Sequence, residues 1–526
     1  MAGGNEVSRS TRTRIIGSYA LMSIRALPKQ FVVLLYILLI WGVLAHTFLY
    51  AKQKGMHQMF YPLGGRAAES ISIAMSHFKH DLKGYRGYSR ILSTLHQGTA
   101  SAHIPDPATA SREEIAAYAV RMNQVLNRAM TLEKVADLGM HRLFREDKGS
   151  VLYYELAFRI FGIRVEGFFY LYFVLFGISL SIFTLTFCNR LDLLNFLLLI
   201  TCAHFAVVAS VSGMGWALET IHNSRFMGVL GIVPMFYMAF LIWGYAKVNY
   251  LTIIGMIIQT AILVFVIFIR SSASYQLFFL ISLFGLRCLW VWLRNPRFGV
   301  YNIRQIRFSP LLIAGAGVLL LVAHLQVTLS YPYTNVMDQH SFWHPLYLGL
   351  GAHPDSERKY GITFSDPVAF DRVEQLAPGT LQLTARGDYD KYEAVLKNEY
   401  LKIWHHDPQF VIANYFYKIP IFLKNYVSFY GRSLWERPVM WGVVFAGLVR
   451  MPLSPVCFSC LGFLLLALAW SCVPFFVAMP EGYLIADSAL LSTVAIYVVL
   501  TGCVCLFLRK TLITGGGHDV VFSTKS

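Results

Sequence analysis

Runs of about twenty apolar residues recur along most of this chain, and a helix of that length crosses a hydrocarbon core near 30 Å thick. Of the 526 residues, 56% are hydrophobic, 15% aromatic and only 14% charged. That balance belongs to a polytopic membrane protein and excludes a soluble domain. Residues 1–28 carry Arg9, Arg12, Arg14 and Arg25 ahead of the first run, 30–50. No small-residue cleavage site ends that run, so 29–51 reads as a signal anchor with 1–28 in the cytoplasm.

Further apolar runs follow near 166–187, 191–213, 226–246, 249–269, 274–293 and 309–330. The connection 294–308 contains Arg294, Arg297, Arg304 and Arg307 without an acid, which assigns it to the cytoplasmic side. The residues before Arg450, then 451–479 and 484–508, add three more spans. The expected architecture is all-α with about ten transmembrane helices, nine to eleven within the error of hydropathy, and both termini in the cytoplasm.

The division that follows is a signal anchor, a first extracytoplasmic helical segment 52–164, a six-helix bundle 165–330, a second extracytoplasmic segment 331–436, membrane helices 437–510 and a cytoplasmic tail 511–526. In the first outer segment, 67–95 and 112–130 have apolar residues at three- and four-residue spacing. Ser111 followed by Glu114 predicts a capping box at the start of the second stretch. In the second outer segment a helix is expected over 389–406, stopped by Asp407-Pro408. Beyond it, 410–431 mixes aromatics and lysines as an interfacial helix does.

The formal net charge of +16 sits largely beside the apolar runs, where the positive-inside rule accounts for it. Nucleic acid is therefore not an expected partner, whereas membrane lipid is. The eight cysteines fall in or beside apolar spans and imply neither a disulfide framework nor a zinc site.

Three places carry candidate chemistry. In "HSFWHPLYLGLGAHP" (340–354), His340 and His344 with Asp338 offer nitrogen and oxygen ligands for a divalent metal. The same residues with Phe342, Trp343 and Tyr347 would equally suit a sugar or lipid headgroup, or simply plug this segment onto the membrane domain. In "GWALETIHNSRF" (215–226), Glu219, His222 and Arg225 recur every third residue and could hold a phosphate, or form an interfacial ion pair. Glu69 and Asp81 are acids soon after the first span, suited to a general base on an acceptor hydroxyl.

The order of these elements, with "GSVLYYELAFRIFGI" (149–163) and "YEAVLKNEYLKIWHHDPQFVIANYFYKIPIFL" (392–423), resembles the multi-spanning bacterial glycosyltransferases of the GT-C class. The resemblance implies transfer of a sugar from a polyprenyl-phosphate carrier to an acceptor on the outer face of the inner membrane. It also implies an acid of the first outer loop near the acceptor, and often a divalent metal. In this chain the acids there are single, Glu69 and Asp81, where the class has a pair. The expected function is a transferase of envelope glycan assembly. Glu69 or Asp81 would be catalytic, and Glu219, His222, Arg225, His340, Trp343 and His344 would bind the polyprenyl-phosphate-linked sugar. A non-catalytic scaffold of an envelope or respiratory complex, and a polysaccharide polymerase or ligase, are the competing expectations.

Overall fold

The structure, a computed structural model, describes residues 28–56, 66–80, 88–100, 110–131, 148–213, 226–247, 249–294, 342–381, 390–430, 455–477 and 486–514, with a few residues between 312 and 323. Among the described residues there is no strand. The chain opens with α1 (Lys29–Gln53) and continues through α2 (Arg66–His80), α3 (Tyr88–Ala100), α4 (Arg112–Met130) and α5 (Lys148–Phe161). Next come α6 (Glu166–Phe187), α7 (Leu191–Gly213), α8 (Ile232–Trp243), α9 (Tyr250–Ile269) and α10 (Tyr275–Arg294). After them stand α11 (Trp343–Leu348), α12 (Ser356–Tyr360), α13 (Asp366–Leu376), α14 (Asp390–His406), α15 (Pro408–Tyr430), α16 (Pro455–Val477) and α17 (Ala486–Thr514).

Among the described residues seven helices, α1, α6, α7, α9, α10, α16 and α17, are long and apolar enough to cross a membrane. The run expected to span over 226–246 is built differently. It is a 3-10 turn, Met227–Gly231, running into the 12-residue α8, about 28 Å in all. Gly244 closes α8 with φ 95°, a left-handed conformation that glycine adopts without strain. The run at 438–450, and most of that at 309–330, lie outside the described residues.

At the centre of the bundle stands α7, whose apolar window is entirely buried. It packs against α1, α6, α15, α16 and α17. By contrast α1 keeps Phe31, Leu34, Leu38, Trp41 and Leu49 exposed, as a span facing lipid does.

Helices α2 to α5 form a cluster on one end of this bundle. The capping box at Ser111 is present: Glu114 N donates to Ser111 Oγ at 3.2 Å and Ser111 N donates to Glu114 Oε2 at 2.7 Å. The stretch 67–95, which patterns as one helical segment, contains two helices, α2 and α3. Asn123 of α4 ties the cluster to α6, accepting from Val165 N at 3.0 Å and donating to Glu166. Gly149 lies against the backbone of Phe268 and Ile269, so α5 sits on the end of α9. Within α5, Glu155 faces His77 at 3.3 Å and Arg159 at 2.7 Å. Burial alone would raise its pKa, but the hydrogen bonds from His77 and Arg159 outweigh it and hold the carboxyl below its ordinary value.

A second cluster, α11 to α15, has its own core, with Leu346, Tyr347, Leu348, Tyr392, Leu396 and Val411 buried together. Helix α14 ends at Asp407, which then accepts from Phe410 N at 3.0 Å and so starts α15. The first half of α15 belongs to this cluster through Phe410 and Val411, whereas Tyr426, with Phe422 packed beside it, joins the bundle core. Between the halves, Lys418 donates to the Phe476 carbonyl at 2.5 Å, near the end of α16. Both clusters therefore stand on the end of the bundle where α1, α9 and α16 finish and α6, α10 and α17 begin.

Candidate functional site

Of the residues that carry candidate chemistry in the sequence, Trp343 and His344 are described in full. His340, Asp81, Glu219, His222 and Arg225 lie outside the described residues, and for Glu69 the structure describes only a place on α2 between the buried Ala68 and Ser70.

The aromatic run around Trp343 folds inward on its own cluster. Glu393 of α14 accepts from three successive backbone N–H groups, Phe342 at 2.8 Å, Trp343 at 2.6 Å and His344 at 3.2 Å. A carboxylate is thereby fixed at the start of α11, where unpaired N–H groups favour negative charge. Both nitrogens of His344 are engaged: Nδ1 with the Tyr392 hydroxyl at 2.6 Å and Nε2 with Asp366 Oδ1 at 3.2 Å. Its ring stacks on Phe370, with centroids 5.6 Å apart. Trp343 lies beside Tyr400, with Lys397 over its face at 5.7 Å. Tyr347 is buried under Arg372, which pairs with Glu399 at 2.5 Å. Burial pushes the Tyr347 phenol up to about 12. Among the described residues the run thus packs into the core of α11 to α15, against which Val477 of α16 also lies. Among the described residues, no group of three or more His, Cys, Asp or Glu side chains gathers in metal-holding range.

The polar cluster with unmet valences lies instead at the end of the bundle, around Asp487. This residue is in the first turn of α17, is fully buried, and accepts from Ser488 N at 3.0 Å through Oδ1. Among the described residues no donor meets Oδ2 in hydrogen-bonding geometry. From the α9–α10 junction, the Tyr275 hydroxyl reaches the carboxylate as a donor and Arg270 acts on it by charge. Beside Tyr275, Gln276 donates to the Gly228 carbonyl at 2.8 Å, while its own Oε1 meets no donor among the described residues.

Two glycines make this approach possible. A Cβ on Gly228 would fall 2.5 Å from Asp487 Oδ2, and one on Gly231 would fall 2.0 Å from Gln276 Oε1. In a 3-10 turn residues three apart eclipse, so Gly228 and Gly231 present one bare face to side chains from two different helices. Weak Cα–H···O contacts are what that face can offer the two oxygens. Ser488 Oγ donates to the Ser471 carbonyl at 3.0 Å and Trp470 Nε1 to Ser282 Oγ at 3.1 Å, which fixes α16 to α17 and α10 around the cluster.

The stretch containing Glu219, His222 and Arg225 leads directly into this turn through Phe226, whose ring packs on Tyr172 at 5.7 Å. Inspection of the sequence passes over Asp487, because an acid at the head of an apolar run reads as an ordinary helix-start residue. Its one signal is being an acid at the head of a run otherwise free of them. Chemically, the cluster offers a buried carboxylate oxygen and an amide oxygen as acceptors, with a guanidinium nearby. Ionisable groups inside a membrane domain are expensive to keep and mark sites of function.

Comparison with known proteins finds no matching family model, no matching curated protein and no matching solved structure.

Proposed function

We propose that this chain is a multi-pass inner-membrane transferase of envelope glycan assembly, acting on a polyprenyl-phosphate-linked sugar at the end of the bundle that carries both helical clusters. That end faces outward in this reading, with both chain termini in the cytoplasm. The observation that supports it is the fully buried carboxylate of Asp487 inside the bundle, with the Tyr275 hydroxyl beside it and Arg270 in electrostatic range. In this scheme the acceptor hydroxyl attacks the anomeric carbon, the bond from that carbon to the phosphate oxygen breaks, and Asp487 takes the acceptor's proton. Arg270, together with Arg225 and His222 from the stretch leading into the turn, stabilises the departing phosphate. Glu69 and Asp81 remain candidates for orienting the acceptor, and His340 with Trp343 for the sugar. His344, with both nitrogens held by protein groups, has a supporting place beside them.

The test is an envelope-glycan profile in cells carrying Asp487→Asn or Arg270→Gln. The expected result is loss of the glycan with accumulation of its lipid-linked precursor, while the protein is present at the wild-type level and unfolds at an unchanged temperature in detergent. An unchanged glycan profile at that protein level overturns the transferase. One observation favours a second reading, a non-catalytic scaffold: Ile412, Phe416, Ile419, Leu423 and Val427 form an exposed apolar stripe along α15. Co-purification of one fixed partner protein, lost when Phe416 and Leu423 become serine, would select it.

A further inference from the structure

A groove of about 470 Å³ runs between α1 and α6, lined by Trp41, Phe48, Tyr170, Phe173, Val174 and Gly177, with Ile178 and Ser181 at its inner end. Both helices are membrane spans by length and composition. Tyr170, Val174, Gly177, Ile178 and Ser181 share one face of α6 at helical spacing. The polar side chain at the inner end, Ser181, turns its hydroxyl back to the Gly177 carbonyl at 2.7 Å. The groove therefore offers a hydrocarbon surface with no free donor from that serine, and hydrocarbon is what fits it.

We propose that this groove holds one acyl chain of an anionic glycerophospholipid, with the phosphate headgroup gathered by Arg164 and Lys52. Length and charge argue for that occupant. From Tyr170 to Ser181 the groove follows eleven residues of α6, about 16 Å of helix, which is close to one leaflet of a 30 Å core. A single acyl chain fills that depth, whereas a long isoprenoid chain overruns it.

At the mouth the charge is mainly positive. Lys52 stands one turn beyond Phe48 on α1 and is exposed. Lys54 lies over Tyr50 at 5.9 Å. Arg164 is exposed and donates through Nε to the Phe161 carbonyl at 2.6 Å, and Glu166 and, less strongly, Arg164 act by charge on the Tyr170 phenol. The acid at this level, Glu166, is turned toward Asn123, which donates to both of its oxygens at 3.1 and 3.2 Å. Phe48 closes the groove against Phe169 and Phe173, with ring centroids at 5.5 and 5.2 Å. This inference rests on the membrane reading alone and is independent of the transferase reaction.

Native mass spectrometry of the full chain, released from detergent with defined lipids added, tests it. Phosphatidylglycerol is expected to remain bound in one copy and phosphatidylcholine to leave. The double variant Lys52→Ala, Arg164→Ala should weaken phosphatidylglycerol roughly 30-fold, since each cation near an anionic headgroup contributes about 1 kcal/mol, or fivefold. Gly177→Leu should abolish retention by filling the groove. Because Gly177 is packed under Trp41, with a Cβ only 3.5 Å from that ring, Val174→Trp at an exposed position serves as a second filling variant. Retention of phosphatidylcholine equal to phosphatidylglycerol overturns the headgroup assignment. Tighter binding of a polyprenyl phosphate overturns the acyl chain, and lipid retained by both filled variants, each with an unchanged unfolding temperature, overturns the groove.

Discussion

In the α11 to α15 cluster, every buried polar side chain among the described residues has a partner, down to the three N–H groups gathered by Glu393. The membrane bundle is more permissive. Asn195 has neither amide atom paired, His204 bonds Tyr172 at 2.9 Å through Nε2 but leaves Nδ1 unmet, and Gln276 and Asp487 each keep one bare oxygen among the described residues. The difference follows from the reference state. Residues that leave water when they fold pay the full desolvation of an unpaired polar atom, which is the cost expected of a cluster without spanning helices. Helices already in a bilayer have surrendered that water before they pack, and a polar atom left bare costs less relative to that state. Bundle interiors can thus hold unmet valences, and function can draw on them.

The largest effect that would sharpen this comparison is expected at the glycine face. Gly231→Ala and Gly228→Ala should each lower the stability of the detergent-purified protein by about 3 kcal/mol, because a methyl group has no room against the oxygens. Gly462→Ala, with nothing within 4 Å of its added carbon, should shift unfolding by less than about 0.5 kcal/mol. If all three behave alike in a thermal unfolding series, the close approach at the turn is wrong.

Next, Glu393→Gln should cost about 2 kcal/mol, since bonds to a charged acceptor become neutral ones. Amide exchange over 342–348 should quicken while exchange in α7 stays unchanged. Smaller, and opposite in sign, is Asn195→Leu: removing a wholly unpaired amide should raise stability by about 1 kcal/mol. A loss of stability there would show that the bundle pairs its polar groups as strictly as the α11 to α15 cluster does.

The smallest effect concerns acid. The Phe410 backbone N–H, helped by Lys359 and Tyr360, holds Asp407 below the ordinary carboxylate value of 3.8. The unfolded chain then takes up this proton first as the pH falls. Asp407 therefore contributes stability above about pH 4, and loses it as the pH drops through its lower folded value. Asp407→Asn should flatten that part of the acid-unfolding curve of α14 and α15, followed by helical circular dichroism.

How far this could be read from residues alone depends on how local the deciding physics is. The helix over 112–130 with its Ser111–Glu114 box, and the stop at Asp407-Pro408, rest on neighbours within four positions and are legible. So are the seven long apolar helices among the described residues, out of about ten spans expected, because they need only length and apolarity. The short α8 is hidden inside a run of spanning length, since hydropathy does not distinguish a 3-10 turn from the helix that follows. His344 shows the limit most plainly. Its partners Asp366 and Tyr392 lie 22 and 48 residues away, so nothing near it in the chain says that both of its nitrogens are occupied. Asp487 is the reverse case, conspicuous only once Gly228, Arg270 and Tyr275 have been brought beside it.

The bare glycine face has a consequence for how the protein is made. Gly231 emerges from the ribosome 256 residues before Asp487, an interval on the order of tens of seconds at ordinary synthesis rates. Throughout that interval the turn stands without α17, the helix that packs on it. The last span is thus the closing piece of biogenesis, and a nascent chain that stalls before it leaves the Gly228 face of the turn without the Asp487 side chain that packs on it. That gives membrane quality control a definite feature by which to distinguish an unfinished bundle from a finished one.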